Sequence, residues 1–526
     1  MPPHIDRRRG HLVRGWLLAL VLAVVARGVE SPQGVLDPPE HPETLGAGVG
    51  RTMHLLSSST ASHRNKVKIL FYGQSITEQE WWHEVEADLR RRFPHADLEV
   101  QNRAIGGFPS QQLIKPAEHD IFAFYPDLVI FHVYGADQPY DAIIRSIRSR
   151  TTAEVLIQTD HVTKWPPATI SKSQDAGAWW DDRMNHKILP GIASRYGCGL
   201  VDIRTDWLRY LKANHLKPSA LLLDEVHLNP AGCDLMARLV GRYLVVQPGT
   251  EGRAAADPVS SRTVGRDVVF QDGRLTLAID GNRVDLVIPA AAPAQPSKTL
   301  DVRIDGKKPS EFPELYAITR PDPKPWSPLA LVRVNHDQPL IVEEWTLTID
   351  SYSANPRGWT FHVAGSTTGP DGSGTSSAPF ISRSGRVHID PDFWFGDKPV
   401  EPGYVIHWSV RPQFLDRYSP PPPGDPSLDR ATTLFQGLAP GHHTLELSAN
   451  PEEGPPTLAT IQVYDPPYTP MDPLVVRSMV GVGILVAALG GWWIARRWAI
   501  GSRVWGRIIL LIRRPHSPDE PLGTPA

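Results

Sequence analysis

Lys68-Ile-Leu-Phe-Tyr-Gly-Gln-Ser-Ile-Thr77 is the stretch whose reading decides the fold. The apolar run 67–72 reads as a buried strand, and Gly73 marks the turn that ends it. Ser75 follows two residues later, and a helix-like segment starts near Glu78. A serine in a tight strand-to-helix turn stands at the carboxyl edge of a sheet, where open α/β folds take their ligands. It also stands at a helix N-terminus, whose partial positive charge favours an alkoxide or a developing oxyanion. A serine there can equally cap the helix, so its role depends on the rest of the chain.

Working outward, strand and helix alternate. Strands are expected at 98–101, 128–133, 155–158 and 200–203, and helices at 81–93, 140–150, 178–196 and 230–245. Such alternation implies a parallel sheet covered on both faces, a three-layer α/β domain over 66–247. Two further constellations fall inside it. Asp224 stands three residues before His227, just ahead of the last helix. If the chain turns there, the carboxylate reaches the imidazole, fixes its tautomer and supports the imidazolium. Histidine suits the base because it titrates near working pH. The second is Asn102-Arg-Ala-Ile-Gly-Gly107, where glycines after a strand let backbone N–H groups approach a ligand and act as oxyanion donors.

Gly73-Gln-Ser75, Asn102 to Gly107 and Asp224-x-x-His227 occur in the order of the SGNH/GDSL hydrolases, a family of serine esterases and lipase-like enzymes that residues 66–245 resemble. Pro126-Asp127-Leu-Val-Ile, Asn185 and Val201-Asp202 add to the likeness. The resemblance implies a flavodoxin-like fold of SGNH type. It also implies Ser75 as nucleophile, His227 as base, Asp224 as the group that orients His227, and an oxyanion hole from the N–H groups of Ser75 and Gly107. The sequence departs from the family pattern twice. Gln74 stands where an acidic residue usually precedes the serine, and Val133-Tyr-Gly-Ala-Asp137 lacks the asparagine of the third block. An ionised Asp137 accepts hydrogen bonds and repels an oxyanion. Loss of one donor costs about 3–4 kcal/mol of transition-state stabilisation, so a substitute such as Gln138 is needed or the site is slower.

Gln74, Asp137, Asp160, His161 and Trp165 are candidate substrate-facing residues, Asp160 and His161 because they end a strand at the carboxyl edge. Trp165, Trp179 and Trp180 offer flat apolar faces to a sugar, although such tryptophans more often serve packing. Cys198 and Cys233 lie in this domain and would be able to pair in an exported protein.

After a linker at 248–262 the pattern changes to alternation over 263–470, as at Trp345-Leu347-Ile349 and Tyr404-Ile406-Trp408. An all-β sandwich region of one or two modules is expected. Leu275 to Ile288 reads as a hairpin about Asp280-Gly-Asn282, and Gly365–Pro379 as a long loop.

The ends complete the expectation. Four arginines at 7, 8, 9 and 14 precede the short apolar run 16–26, which reads as a signal peptide over 1–28. Residues 29–65, rich in Pro, Gly, Ser and Thr, read as a linker. The uncharged run 478–495 suggests a transmembrane helix at 475–495. Six arginines in 496–526 against Asp519 and Glu520 then put the tail in the cytoplasm. The expected placement is a single-pass membrane protein with the hydrolase and β regions outside the cytoplasm. The 54 basic and 57 acidic residues give no basic excess for nucleic acid. No H-E-x-x-H spacing calls for a metal, and no cofactor is expected. The sequence thus points to an anchored serine esterase removing O-acyl, chiefly O-acetyl, groups from carbohydrate or another small ester. An O-acyltransferase on polysaccharide and a catalytically impaired glycan-binding protein remain open beside it.

Overall fold

The computed structural model describes residues 34–247, 257–321, 330–395 and 400–468. Five parallel strands, β1 (Lys66–Gly73), β2 (Asp97–Asn102), β3 (Leu128–His132), β4 (Glu154–Gln158) and β5 (Gly199–Val201), form one sheet in the order β2-β1-β3-β4-β5. This is the flavodoxin-like order, in which the switch point lies between β1 and β3 and ligands meet the carboxyl ends of the strands. β3 is buried at every position, as a parallel strand covered on both faces must be.

Alternate side chains of the sheet feed two apolar clusters. Val67, Ile69 and Phe71 join the helices Trp81–Arg92, Ile203–Ala213 and Pro230–Tyr243 on one face. Leu70, Tyr72, Val129 and Phe131 join Asp137–Arg150 and Leu189–Tyr196 on the other. The two cysteines belong to opposite clusters, so both are free thiols. Burial pushes Cys198 up to about 12 and Cys233 up to about 11, which leaves both protonated at neutral pH.

The segment expected as a linker carries structure in its described part. Gly50–Ser58 is a helix whose first free N–H groups, those of Arg51 and Thr52, donate to the Glu154 carboxylate at 2.9 and 2.8 Å. A carboxylate at a helix N-terminus satisfies donors that have no intrahelical partner. Arg51 also pairs with Asp127 at 2.7 Å, and Met53 and Leu56 enter the core beneath the sheet. Met53 is completely buried, so Met53→Ala is expected to cost about 2–5 kcal/mol. A urea titration should show this as a lower midpoint with unchanged slope. An unshifted midpoint would return these residues to the role of a linker.

Beyond residue 257 the described chain is β-rich. Two four-stranded sheets, ordered Arg417–Tyr418, Leu300–Ile304, His442–Ala449, Arg274–Asp280 and Arg430–Gln436, Arg283–Ile288, Thr460–Tyr464, Val259–Thr263, share one apolar cluster. Residues 316–412 form a five-stranded sheet and smaller pairings around a separate cluster. The hairpin expected at 275–288 does not form: Arg274–Asp280 pairs with His442–Ala449, whereas Arg283–Ile288 pairs with Arg430–Gln436 and Thr460–Tyr464. The intervening Asn282 is completely buried, donates to the Arg150 carbonyl at 2.7 Å and accepts from the Tyr125 hydroxyl at 3.2 Å. Within the expected loop 365–379, Gly369–Thr375 is a strand against Arg357–Gly365.

Among the described residues no helix is long and apolar enough to cross a membrane. The longest, Asp137–Arg150 and Pro230–Tyr243, have 14 residues each, about 21 Å against a hydrocarbon core of roughly 30 Å. The expected leader 1–28, spanning helix 475–495 and tail 496–526 lie outside the described residues. Over the described residues the fold expectation is corrected to an α/β domain followed by a β-rich region, and no helix among them supports a membrane span. The single-pass membrane placement that rested on the expected spanning helix is withdrawn.

Candidate active site

The nucleophile candidate is placed by the end of β1. A Cβ built at Gly73 would lie 2.0 Å from the His132 carbonyl oxygen. Only glycine lets the two strand ends approach this closely. Ser75 opens the short helix Ser75–Glu78. The turn is fixed from several sides. The Thr77 hydroxyl donates to the His132 carbonyl at 3.3 Å, the Trp81 indole N–H to the Ile76 carbonyl at 2.6 Å, and the Asn102 amide to the Thr77 carbonyl at 2.7 Å. Asn102 thereby joins the serine turn to the glycine loop that follows β2.

The histidine comes from the loop before the last helix. His227 Nε2 lies 3.0 Å from Ser75 Oγ, and His227 Nδ1 lies 2.7 Å from Asp224 Oδ2. A carboxylate only accepts, so Nδ1 carries the proton and Nε2 is left to accept from the serine hydroxyl. Asp224 Oδ1 also accepts the backbone N–H groups of His227 and Val226, each at 2.7 Å. These backbone bonds, then the imidazole, hold the Asp224 carboxyl down at about 2. It is therefore ionised wherever the histidine can act as a base. The pair is open to solvent, with side-chain exposures of 38% for His227 and 54% for Asp224.

The glycine loop lies against the serine. A Cβ on Gly106 would sit 3.4 Å from Ser75 Cβ and 2.6 Å from Glu78 Oε2, and the Gly106 N–H donates to that carboxylate at 3.1 Å. Gly107 has φ +72°, in the left-handed region. Among the described residues no hydrogen bond takes the Gly107 N–H. The nearer glycine is thus occupied by Glu78, a residue not singled out in the sequence, and the farther one is left for a ligand.

Other expected site residues fall elsewhere. Asp137, at the start of Asp137–Arg150, pairs with Arg183 at 2.7 Å, and that hydrogen bond holds its carboxyl below the ordinary range. It is an anion already engaged, not an oxyanion donor. The preceding loop is tied to the glycine loop through Ser110, whose N–H donates to the Tyr134 carbonyl at 2.8 Å and whose hydroxyl donates to the Ala136 carbonyl at 2.7 Å. Gln74 is buried. Asp160 and His161 are only 4% and 2% exposed, so neither presents a side chain to substrate. Asp160 accepts from His132 Nε2 and from the Asn185 amide, both at 3.0 Å. His161 Nε2 lies 2.9 Å from the Val226 carbonyl oxygen. Trp165 alone among the tryptophan candidates is openly exposed, at 45%. Trp179 is half-buried under Lys172, and Trp180 packs on the core. Among the described residues no group of His, Cys, Asp and Glu is arranged to hold a metal.

One residue that matters escaped the sequence reading. The Gln79 amide accepts the Leu228 N–H at 3.0 Å and donates to the Leu228 carbonyl at 2.8 Å. Its spacing of four from Ser75 was the available signal, but only the fold reveals that it meets the residue after His227.

Ser75 Oγ, His227 and Asp224 thus lie on one hydrogen-bonded path, with the unbonded Gly107 N–H on the glycine loop that meets Ser75 through Gly106. A hydroxyl, an imidazole and a carboxylate so joined are the groups that nucleophilic ester hydrolysis uses.

No protein family and no curated protein matches the chain. Solved structures similar to it include a two-domain esterase active on acetylated mannans, at 13% identity over 81% of this chain and 98% of that one, with a TM-score of 0.33. An acetylxylan esterase from Geobacillus stearothermophilus aligns at 21% identity over 35% of this chain and 96% of its own, with a TM-score of 0.30. An alpha/beta hydrolase from the metagenome of Lake Arreo, Spain, aligns at 20% identity over 36% of this chain and all of its own, with a TM-score of 0.30.

Proposed function

We propose that this chain is a serine carboxylic-ester hydrolase that removes short O-acyl groups, acetyl above all, from carbohydrate. One observation carries the reading: the unbroken path from Ser75 Oγ to His227 Nε2 at 3.0 Å and from His227 Nδ1 to Asp224 at 2.7 Å. Ser75 attacks the ester carbonyl while His227 takes its proton. The oxyanion is met by the backbone N–H groups of Ser75 and Gly107. As the bond from the acyl carbon to the sugar oxygen breaks, His227 gives its proton to that oxygen, so that the sugar departs as a free hydroxyl and an acyl-enzyme remains. In the second half, water attacks the acyl group with the same base, and Ser75 leaves as the free hydroxyl.

The open setting of the triad supports a small acyl group on a bulky, solvated alcohol. A long chain would need an apolar slot to gain the roughly 0.8 kcal/mol available per buried methylene, whereas His227 and Asp224 face solvent. Trp165, exposed on the loop after β4, offers a face for a sugar ring at the same edge of the sheet.

The test compares chromogenic acetyl, butyryl and octanoyl esters, and acetate release from O-acetylated mannan and xylan, using the full chain. We expect the acetyl ester to be turned over at least about tenfold better than the octanoyl ester, a margin of about 1.4 kcal/mol in barrier. Polymer-bound acetate should be released. A preference for the octanoyl ester sinks the short-acyl assignment. Transfer of acetyl to added oligosaccharide in preference to water would make the chain an acyltransferase instead.

A further inference from the structure

We propose that His161 and Gln79 are positioning residues for the base of the triad, clamping the backbone on either side of His227 and so setting its reach to Ser75. The inference rests on the triad reading above.

The loop that carries the base needs such a clamp. Leu223 is 74% exposed and Val226 40%. Asp224 and His227 ride on the same loop three residues apart, so their bond orders the loop internally without tying it to the body of the protein. A solvent-exposed carboxylate–imidazole bond of this kind adds little stability to the loop. The Leu223 N–H to the His227 carbonyl, at 2.7 Å, is likewise internal.

Two side chains supply the outside anchors. From the buried side, His161 Nε2 meets the Val226 carbonyl at 2.9 Å. A carbonyl only accepts, so the His161 proton sits on Nε2. Burial pushes this imidazole down to about 4, which keeps it neutral and in that tautomer at working pH. The ring is itself fixed, with the Tyr134 hydroxyl 3.5 Å from Nδ1 and the Trp207 ring 5.5 Å away, and its neighbour Asp160 is bonded to His132 and Asn185. From the serine side, Gln79 takes both the N–H and the carbonyl of Leu228. Gln79 follows Ser75 by four residues, so this contact ties the base to the nucleophile's own segment. Residues 226 and 228 are held and 227 is the one between them.

A displacement of about 1 Å in such a pair costs on the order of 10²-fold in rate. The experiment uses the full chain with His161→Leu, His161→Gln and Gln79→Leu. It measures kcat and KM on an acetyl ester per active site titrated with a serine-reactive fluorophosphonate, beside Tm. His161→Leu is expected to lower kcat about ten- to a hundredfold with KM within about twofold, because an interaction that matters only for the reacting geometry is lost. His161→Gln, whose amide can donate to Val226 again, should recover to within about fivefold of wild type, and Gln79→Leu should lose about tenfold. If His161→Leu does not fold, Gln79→Leu and His161→Gln decide. A kcat per titrated site unchanged in Gln79→Leu and in His161→Leu, with only Tm or the titrated fraction reduced, overturns the proposal and leaves the two residues structural. Wild-type protein that is not labelled at Ser75 overturns the triad reading and the clamp with it. Labelled wild type with unaffected variants overturns the clamp alone.

Discussion

Ser75→Ala is expected to lower kcat on acetyl esters by on the order of 10³-fold or more, with KM little changed and the fold intact. In the proposed mechanism the hydroxyl oxygen forms the acyl-enzyme bond, and alanine leaves nothing to take its place. Its loss should also abolish labelling by a fluorophosphonate. The fold should survive because the Ser75 side chain bonds to His227 Nε2, whereas the turn is held by Thr77, Trp81 and Asn102 through other atoms. His227→Ala should cost a similar factor, and the double variant little more, since residues that act as one unit lose their effect together. Steady-state kinetics on the full chain, with circular dichroism to verify folding, read all three. Ser75→Ala retaining more than about 1% of wild-type kcat would place the nucleophile elsewhere.

What the sequence made legible follows from how local each signal is. The parallel sheet was readable because strands covered on both faces are continuous apolar runs, as 128–132 is. The hydrogen-bonded path from Ser75 through His227 to Asp224 was readable because Asp224 and His227 are three residues apart and Ser75 follows a strand-ending glycine, so each piece carries its own spacing. Signals that need a distant partner were not readable. The helix Gly50–Ser58 is hidden in a stretch of loop-like composition, and the carboxylate that receives its first N–H groups, Glu154, lies 103 residues away from Arg51. The alternation at 275–288 correctly marks two strands, although only Arg274–Asp280 is half-buried and Arg283–Ile288 is covered on both faces; alternation does not report which strand is the neighbour. The two enter different sheets. Asp160 and His161 do follow the carboxyl end of β4, which closes at Gln158, yet they are covered there, His161 by Trp207 and by the loop bearing His227. Strand position predicts the edge and says nothing of what lies over it.

The same locality makes Asp224→Asn the sharper test of the site. It is expected to lower kcat by at least about tenfold at neutral pH, short of the Ser75→Ala loss, with a smaller effect on KM. The asparagine oxygen can still accept the Val226 and His227 backbone N–H groups that now bond Asp224 Oδ1 at 2.7 Å, so the loop should keep its shape. What changes is the partner of Nδ1. An amide N–H turned toward the ring favours the tautomer with its proton on Nε2, which cannot accept from Ser75, and a neutral amide does not stabilise the imidazolium. In a serine protease the equivalent change costs about 10⁴ in rate. Here the carboxylate is 54% exposed, so water screens part of its field and a smaller factor is expected. The sign of the pH dependence follows from the carboxyl held down at about 2. A lowered carboxyl contributes stability above its unfolded value and loses it progressively as pH falls from there through about 2. Between about pH 5 and 8 the aspartate therefore stays ionised, so its own titration adds no pH dependence to the wild-type to Asp224→Asn ratio of kcat in that window. Glu225→Gln is the control, and Asp202→Asn tests the acid that follows β5 and caps Ile203–Ala213 by accepting the Thr205 N–H at 3.2 Å. Both should keep kcat within about threefold of wild type, since neither bonds to the imidazole. Full activity in Asp224→Asn together with a large loss in Glu225→Gln or Asp202→Asn would move the third member of the triad to another carboxylate.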